Sequence, residues 1–372
     1  MKIKIIALIL LCSIFLTSCF NYIDINRVIF VTAFIIDVDE EGRPTVIAEA
    51  FHSFRSNETN TERGNRVFYE ATGDTIFEAL RKLNTYSSYK LNYTQNRAII
   101  FTERAAKYGL KEFLDFLQRD QEFLIRTFVL IYTGDDPNTL IHAKLKENEY
   151  LGLYLYEMQE NPAAAPLRGI QRFNAYLNNR LKGRGVDILT IFACETDKNI
   201  GEDKIKISGA AVMENDKLVG TLSSEETRIY HFLMNTLDAG LITIPHPVDP
   251  DKKAVLEILK SNTKTSIHLE NNQLIFKKSI NIRTTFGETQ EGIILDSNTV
   301  EKLQQEAALK IENEAKELFN FYKKMNIDLF NVQCFYEVKY PRILIPNILQ
   351  ATNLEIDVDV KIEGSTDILH YQ

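Results

Sequence analysis

Histidine and cysteine are scarce in this chain of 372 residues, six and four respectively, and neither falls at a spacing that binds metal. There is no CxxC pair and no zinc pattern. HExxH, the P-loop, GxSxG and a GxGxxG following a strand are absent too, so no catalytic constellation emerges. His52, His142, His231, His246, His268 and His370 read as surface or satisfied core residues. Basic charge is also short: 43 Lys and Arg against 51 Asp and Glu leave a formal charge of −8. That balance argues against a nucleic-acid binder, which needs a basic surface to neutralise phosphates. It argues equally against broad adhesion to anionic lipid headgroups. Beyond Phe15 no apolar run reaches the length of about 20 residues that crosses a bilayer.

The chain opens with something more specific. Lys2 and Lys4 precede an apolar run over residues 5–15, the order and length of a secretory signal. Leu16-Thr17-Ser18-Cys19 closes the run, with a small residue before a cysteine in place of an A-x-A site. This tetrapeptide resembles the bacterial lipobox, in which the thiol receives a diacylglyceryl group and the chain is cut just before it. The resemblance makes Cys19 a lipidation site and residues 1–18 a cleaved signal peptide. An uncleaved signal anchor, for which the run is short, and a plain buried cysteine are the competing readings. Two acyl chains hold stably at a membrane where one does not. The rest of the chain is therefore expected to be exported and tethered, and more acidic once Lys2 and Lys4 are gone.

Cys12 leaves with the signal, so Cys194 and Cys334 remain. Their surroundings, Ile191-Phe192-Ala193 and Phe335-Tyr336, suggest two separate buried thiols. A disulfide between them is the alternative in an exported protein.

A hydrophobic fraction of 45% is ordinary for a globular body. At about 350 residues after cleavage the chain exceeds one typical core, so two or three domains are expected. Residues 28–37 and 45–51 predict a hairpin, 53–65 a polar loop and 66–71 a third strand. Asp74 is the expected N-cap of a helix with Ile76, Phe77, Leu80 and Leu83 inward. A strand over 97–101, a helix over 103–118 with Tyr108, Leu110, Phe113, Leu114 and Leu117 inward, a strand over 126–132 and a helix to about 143 follow. After a loop over 161–166, a helix through Phe173, Tyr176 and Leu177 leads to a strand over 186–193. The polar stretch 196–204 marks a domain boundary.

In the second half, residues 205–214 and 217–221 predict a hairpin about Asn215-Asp216, and Ser223 opens a helix by capping chemistry. Three half-exposed strands are expected over 255–262, 263–269 and 273–285. Asp296-Ser297 starts the longest helix, to about 324, with Val300, Leu303, Ala307, Ile311, Ala315, Leu318 and Tyr322 on one stripe. Residues 328–338 read as a helix or turn, and 354–362 as a closing strand. The fold class is α+β, with antiparallel-rich mixed sheets and packed helices. Residues 19–27 form the lipidated spacer, 28–196 an N-terminal domain, and 205–372 a C-terminal region, whole or split at about 205–245 and 250–372.

Asp135-Asp136 and Glu225-Glu226 have the look of acid/base pairs, but adjacent carboxylates at a helix start read better as caps and dipole partners. The run from Tyr150 to Tyr156 is either a partner-binding aromatic patch or, the favoured reading, a buried element.

Several segments together carry a family resemblance. The run Thr75-Ile76-Phe77-Glu78-Ala79-Leu80-Arg81-Lys82-Leu83 after Ala71-Thr72-Gly73 is one. Gly209-Ala210-Ala211-Val212, then Lys217-Leu218-Val219-Gly220 and Glu225-Glu226-Thr227-Arg228, is another. The run Leu237-Asp238-Ala239-Gly240-Leu241-Ile242-Thr243-Ile244 and the closing Leu354-Glu355-Ile356-Asp357-Val358-Asp359-Val360-Lys361-Ile362 complete the order. With the lipobox and the long Lys/Glu helix, the chain resembles the C-subunit lipoproteins of bacterial spore germinant receptors. It departs from them twice. The family's Trp-Asp after the lipid cysteine is Phe20-Asn21 here, in a chain without tryptophan. The family's Asp-Ile-Phe-Gly-Phe-Gly run reads Asp328-Leu329-Phe330-Asn331-Val332-Gln333.

The resemblance implies a non-enzymatic assembly or signalling subunit, without cofactor or metal, on the outer face of the spore inner membrane. Its implied partners are the polytopic A- and B-type receptor subunits. Two rival classes predict different architectures. A lipid-anchored solute-binding protein working with a transporter needs two lobes of regular βαβ units. An exported envelope enzyme needs a convergent polar pocket with perturbed groups.

Overall fold

The computed structural model describes residues 27–55, 62–145, 147–161, 167, 169, 172–182, 185–197, 201–237, 239–270, 273–363 and 370–371. The first half is built on one large sheet. Strands β1 (Val28–Val38) and β2 (Pro44–Arg55) form the expected antiparallel hairpin. Its turn is closed by Asp39, whose Oδ1 accepts from the backbone N–H of Arg43 at 2.8 Å. Strand β3 (Glu62–Thr72) pairs with β2, so strand extends from both sides into the stretch expected as a polar loop; residues 56–61 lie outside the described residues.

Helix α1 (Ile76–Tyr86) is capped by Thr75, not Asp74. Thr75 has the extended backbone that an N-cap needs and its hydroxyl accepts from Glu78 N–H; the Asp74 N–H instead donates to the Glu78 carboxylate at 2.9 Å. Ile76, Leu80 and Leu83 are buried as expected, whereas Phe77 is half exposed.

Strands β4 (Lys90–Asn92) and β5 (Ala98–Thr102) both run parallel to β1. The helix expected over 103–118 is two, α2 (Glu103–Tyr108) and α3 (Lys111–Arg119). Gly109, at φ +130°, breaks it, and the next N–H, of Leu110, donates to Asp216 O at 2.8 Å. The redirected chain leaves Tyr108 exposed.

Strand β6 (Phe128–Tyr132) pairs parallel with β5. Helices α4 (Asn138–His142), α5 (Leu151–Glu160) and α6 (Phe173–Leu181) lead to β7 (Val186–Asp197), parallel to β6. Antiparallel β8 (Glu202–Glu214) and β9 (Lys217–Leu222) finish a sheet of order β3-β2-β1-β5-β6-β7-β8-β9, with β4 alongside β1. Strands β5 and β6 are buried at every residue, which is why they read as continuous apolar runs: helices cover both faces of a parallel sheet. Side chains of α1, α2, α3 and α6 share one core with one face, and those of α4 and α5 share another with the opposite face.

Within the polar stretch 196–204, Thr196 pairs with Asp203 and Asp197 with Glu202 across β7 and β8, and residues 198–200 lie outside the described residues. The large sheet thus crosses the position at which composition suggests a boundary.

Helix α7 (Ser224–Met234) begins with a complete capping box, Ser223 with Glu226. A second sheet, order β10-β11-β12-β14, comprises β10 (Gly240–Pro245), β11 (Lys253–Glu270), β12 (Gln273–Thr289) and β14 (Thr352–Ile362). The two strands expected over 255–269 are one, because the alternation continues through Asn262-Thr263 and the backbone stays paired with β12. Strand β14 runs parallel to β12.

Helix α8 (Ser297–Lys324) separates β13 (Ile293–Ile294) from α9 (Val332–Lys339) and α10 (Ile348–Ala351), while β15 (His370–Tyr371) pairs back to β13. On α8, Leu303, Ala307, Ile311, Ala315, Leu318 and Tyr322 are buried; Val300 is half-buried. This helix and α7 share one core with the small sheet and with Val186, Ile188, Ala210, Val212 and Leu222 of the large one. The architecture is α+β, with a hydrophobic core common to both halves.

Candidate functional site

Cys19, the signal segment and the spacer to residue 26 lie outside the described residues. The other residues singled out by sequence are scattered rather than assembled. Asp136 accepts from the backbone and side-chain nitrogens of Asn138 at 2.9 and 2.8 Å, a turn at the start of α4. Glu226 serves the α7 capping box, accepting from Ser223 N–H at 2.8 Å. Buried His231 sits 2.7 Å from the Thr236 hydroxyl, and buried His246 accepts from the Val248 and Asp249 N–H groups. Among the described residues no three His, Cys, Asp or Glu side chains are placed to hold a metal.

Cys194 and Cys334 are both free. Contrary to the buried-thiol expectation, Cys334 in α9 is exposed and Cys194 is only half-buried. Burial nevertheless pushes the Cys194 thiol above its usual range, which disfavours the reactive thiolate.

Two polar assemblies come only from the tertiary structure. The first is centred on Glu49, a fully buried carboxylate in β2. It accepts from Thr32 Oγ1 at 2.6 Å, Arg66 Nε at 2.5 Å, and the N–H groups of Leu151 and Gly152 at 2.8 and 2.9 Å. Arg66 in turn donates to the carbonyls of Leu140, Ile141 and Ala143. An anion thus sits at the N-terminus of α5 and a cation at the C-terminal end of α4, each where the helix dipole favours it. Gly152 has no room for a side chain, since a Cβ there would lie 1.9 Å from Thr32 O. The tyrosine-rich run is therefore a docked helix: Leu151 and Leu155 are buried, and Tyr150 packs edge-on against Phe51. The only local sign of this assembly is an acid between Ala48 and Ala50 in a buried strand.

The second assembly is a cleft of about 520 Å³ at the junction of the halves. Lys182 at the end of α6 and Val186 and Glu214 of the large sheet line one side, and Asp328, Asn331 and Glu337 from beyond α8 the other. Asp328 accepts from the N–H groups of Val332 and Gln333 at 2.8 and 2.9 Å, opening α9. Burial pushes its carboxyl up, against the lowering effect of those two bonds. Three lining asparagines, Asn326, Asn331 and Asn347, have φ of 60°, 56° and 51°. Glycine adopts that backbone state freely and asparagine tolerates it. Asn331, where the resemblance implies a glycine, is thus compatible with the same turn.

Gly185 also borders a second cavity of about 260 Å³, where Asp216 accepts from Tyr176 Oη at 3.0 Å and pairs with Arg180 at 2.8 Å. Lys182, Glu214, Asp328 and Glu337 line the first cavity and Lys111, Arg180, Asp187 and Asp216 the second, so each is lined by charges of both signs.

These features define a class: an α+β protein whose two larger sheets are joined by a shared core, with a polar cleft where the halves meet. Residues 21–180 match the family described as the spore germination protein N-terminal domain, and residues 208–366 the spore germination B3/GerAC-like C-terminal domain. The chain belongs to the GerAC-like family of spore germination proteins, the family its sequence resembles. It is similar to spore germination protein GerQC of Bacillus cereus, 21% identical over 324 residues that make up 86% of each chain. It is 23% identical to spore germination protein B3 of Bacillus subtilis (strain 168), over 74% of this chain and 72% of that one. The crystal structure of the GerBC protein superimposes with a TM-score of 0.57, covering 89% of this chain and 97% of that chain at 16% identity. At that identity the likeness establishes the fold.

Proposed function

We propose that this chain is a lipid-anchored subunit of a nutrient germinant receptor on the outer face of the spore inner membrane. It acts beside polytopic A- and B-type subunits in assembly or signalling, without catalysis. The observation that carries this reading is the match of both family domains, in order, over residues 21–180 and 208–366.

Geometry supports the tether. The described chain enters β1 at the edge where the parallel strands β4, β5, β6 and β7 also begin. A spacer over residues 20–26 reaches at most about 25 Å when fully extended, so a lipid on Cys19 would hold this edge toward the bilayer. No helix among the described residues is long and apolar enough to cross a membrane. The solute-binding alternative predicts two lobes of regular βαβ units, which a shared core and a mainly antiparallel second sheet do not support.

The test uses spores lacking the gene, complemented with wild type or Cys19→Ala, scored for nutrient-triggered germination and for membrane fractionation. Loss of one nutrient response in the deletion, with Cys19→Ala both detached and impaired, is expected. Unchanged germination across a broad nutrient panel would refute the receptor role. A Cys19→Ala protein that still sediments with membranes would refute the anchor.

A further inference from the structure

At the edge where the parallel strands begin, three arginines converge in an otherwise acidic chain. Arg97 precedes β5, Arg126 precedes β6, and Arg172 precedes α6; with Asn96, Thr127 and Tyr156 they line a cavity of about 120 Å³. The guanidinium of Arg97 lies 5.2 Å from the Tyr156 ring centre and that of Arg172 5.9 Å from the same ring and 4.4 Å from Phe128. Arg172 is held further by a bond to Arg126 O at 3.0 Å and by an ion pair with Glu160. Neither Arg97 nor Arg126 has an ion pair among the described residues. Beside them Asn96 is only 2% exposed, and neither its amide nitrogen nor its amide oxygen has a hydrogen-bond partner.

Like charges brought together without counter-ions repel, and a buried amide without partners is costly. Packing on aromatic faces fixes two of the three guanidinium groups before any ligand arrives, which lowers the ordering cost of binding. Guanidinium groups recognise carboxylate and phosphate by paired N–H donors. Two cations are uncompensated here, matching the charge of about −1.5 to −2 on a phosphate monoester at neutral pH. The cavity has the room of about four water molecules at ~30 Å³ each, enough for one such group.

We propose that Arg97, Arg126 and Arg172, beside the buried amide of Asn96, form a binding site for a single phosphate group. The group belongs to a free phosphate compound or to a phospholipid headgroup. The headgroup source rests on the anchor reading, because it requires this edge to face the bilayer; the free source does not.

The test takes the full chain in neutral detergent micelles. Inorganic phosphate is titrated calorimetrically at constant ionic strength, and thermal stability is compared in micelles containing phosphatidic acid or phosphatidylcholine. Saturable phosphate binding identifies a free ligand; stabilisation by phosphatidic acid alone identifies a headgroup. Arg97→Gln or Arg126→Glu is expected to weaken either effect about tenfold or more. Arg126 is exposed, so Arg126→Glu is expected to leave the thermal midpoint without ligand unchanged. Absence of both effects in wild type, or binding that survives Arg126→Glu, overturns the proposal. The germination assay is separate, so the receptor reading and this site can fail independently.

Discussion

Lys278 in β12 points into the core and is only 1% exposed. Its ammonium donates to Leu233 O, in the last turn of α7, at 2.6 Å and to Thr265 Oγ1 at 2.9 Å. It also lies 4.7 and 5.4 Å from the ring centres of Phe276 and Phe335. Among the described residues no carboxylate pairs with it, and burial brings its pKa down to about 7. In the unfolded chain it titrates near its ordinary value of about 10.4, so between these limits the unfolded state binds more protons. Stability therefore rises with pH across this window, and the contribution is lost as pH falls toward the folded value. The gain attributable to Lys278 between pH 7 and pH 9 is about 2 kcal/mol by this linkage.

Replacement by methionine keeps most of the volume and removes the charge. Denaturant unfolding of wild type and Lys278→Met at both pH values isolates this term, because other titrating groups cancel in the difference. The stability advantage of Lys278→Met over wild type should shrink by about 2 kcal/mol on going from pH 7 to pH 9. An advantage that stays constant, or grows, would show that the lysine remains charged in the fold and would refute the burial argument.

Two further perturbations test the packing. Glu49→Ala leaves the Arg66 charge and two helix N–H groups without their buried partner, and is expected to cost about 3–5 kcal/mol in denaturant unfolding; a loss below about 1 kcal/mol would contradict the network's assigned weight. Asn331→Gly should be close to neutral, whereas Asn331→Ala should lose about 1–2 kcal/mol through its left-handed backbone. Equal effects of those two substitutions on the unfolding midpoint would remove the backbone explanation.

Much of the secondary structure was legible because it is encoded locally. The α7 capping box, the Asn215-Asp216 turn with φ of 50° and 66°, and the buried stripe on α8 each need only residues a few positions apart. Two of the misreadings share one cause, that a residue's local type does not reveal its long-range partner. Gly109 breaks a helix whose apolar spacing continues past it, and the next N–H finds Asp216. Asn262-Thr263 stays in strand because β12 pairs with it throughout.

The same division runs through the candidate sites. The amino-acid sequence by itself determined the family resemblance, the lipobox-like pattern ending at Cys19 and the lack of catalytic motifs, since each is a pattern read along the chain. Only the tertiary structure brought Glu49 to the start of α5, closed the polar cleft between the halves, and gathered Arg97, Arg126 and Arg172 around one cavity. Those arginines are separated by whole strands and helices in sequence. Parallel β5 and β6 must begin at the same edge, and this geometric requirement places Arg97 and Arg126 side by side.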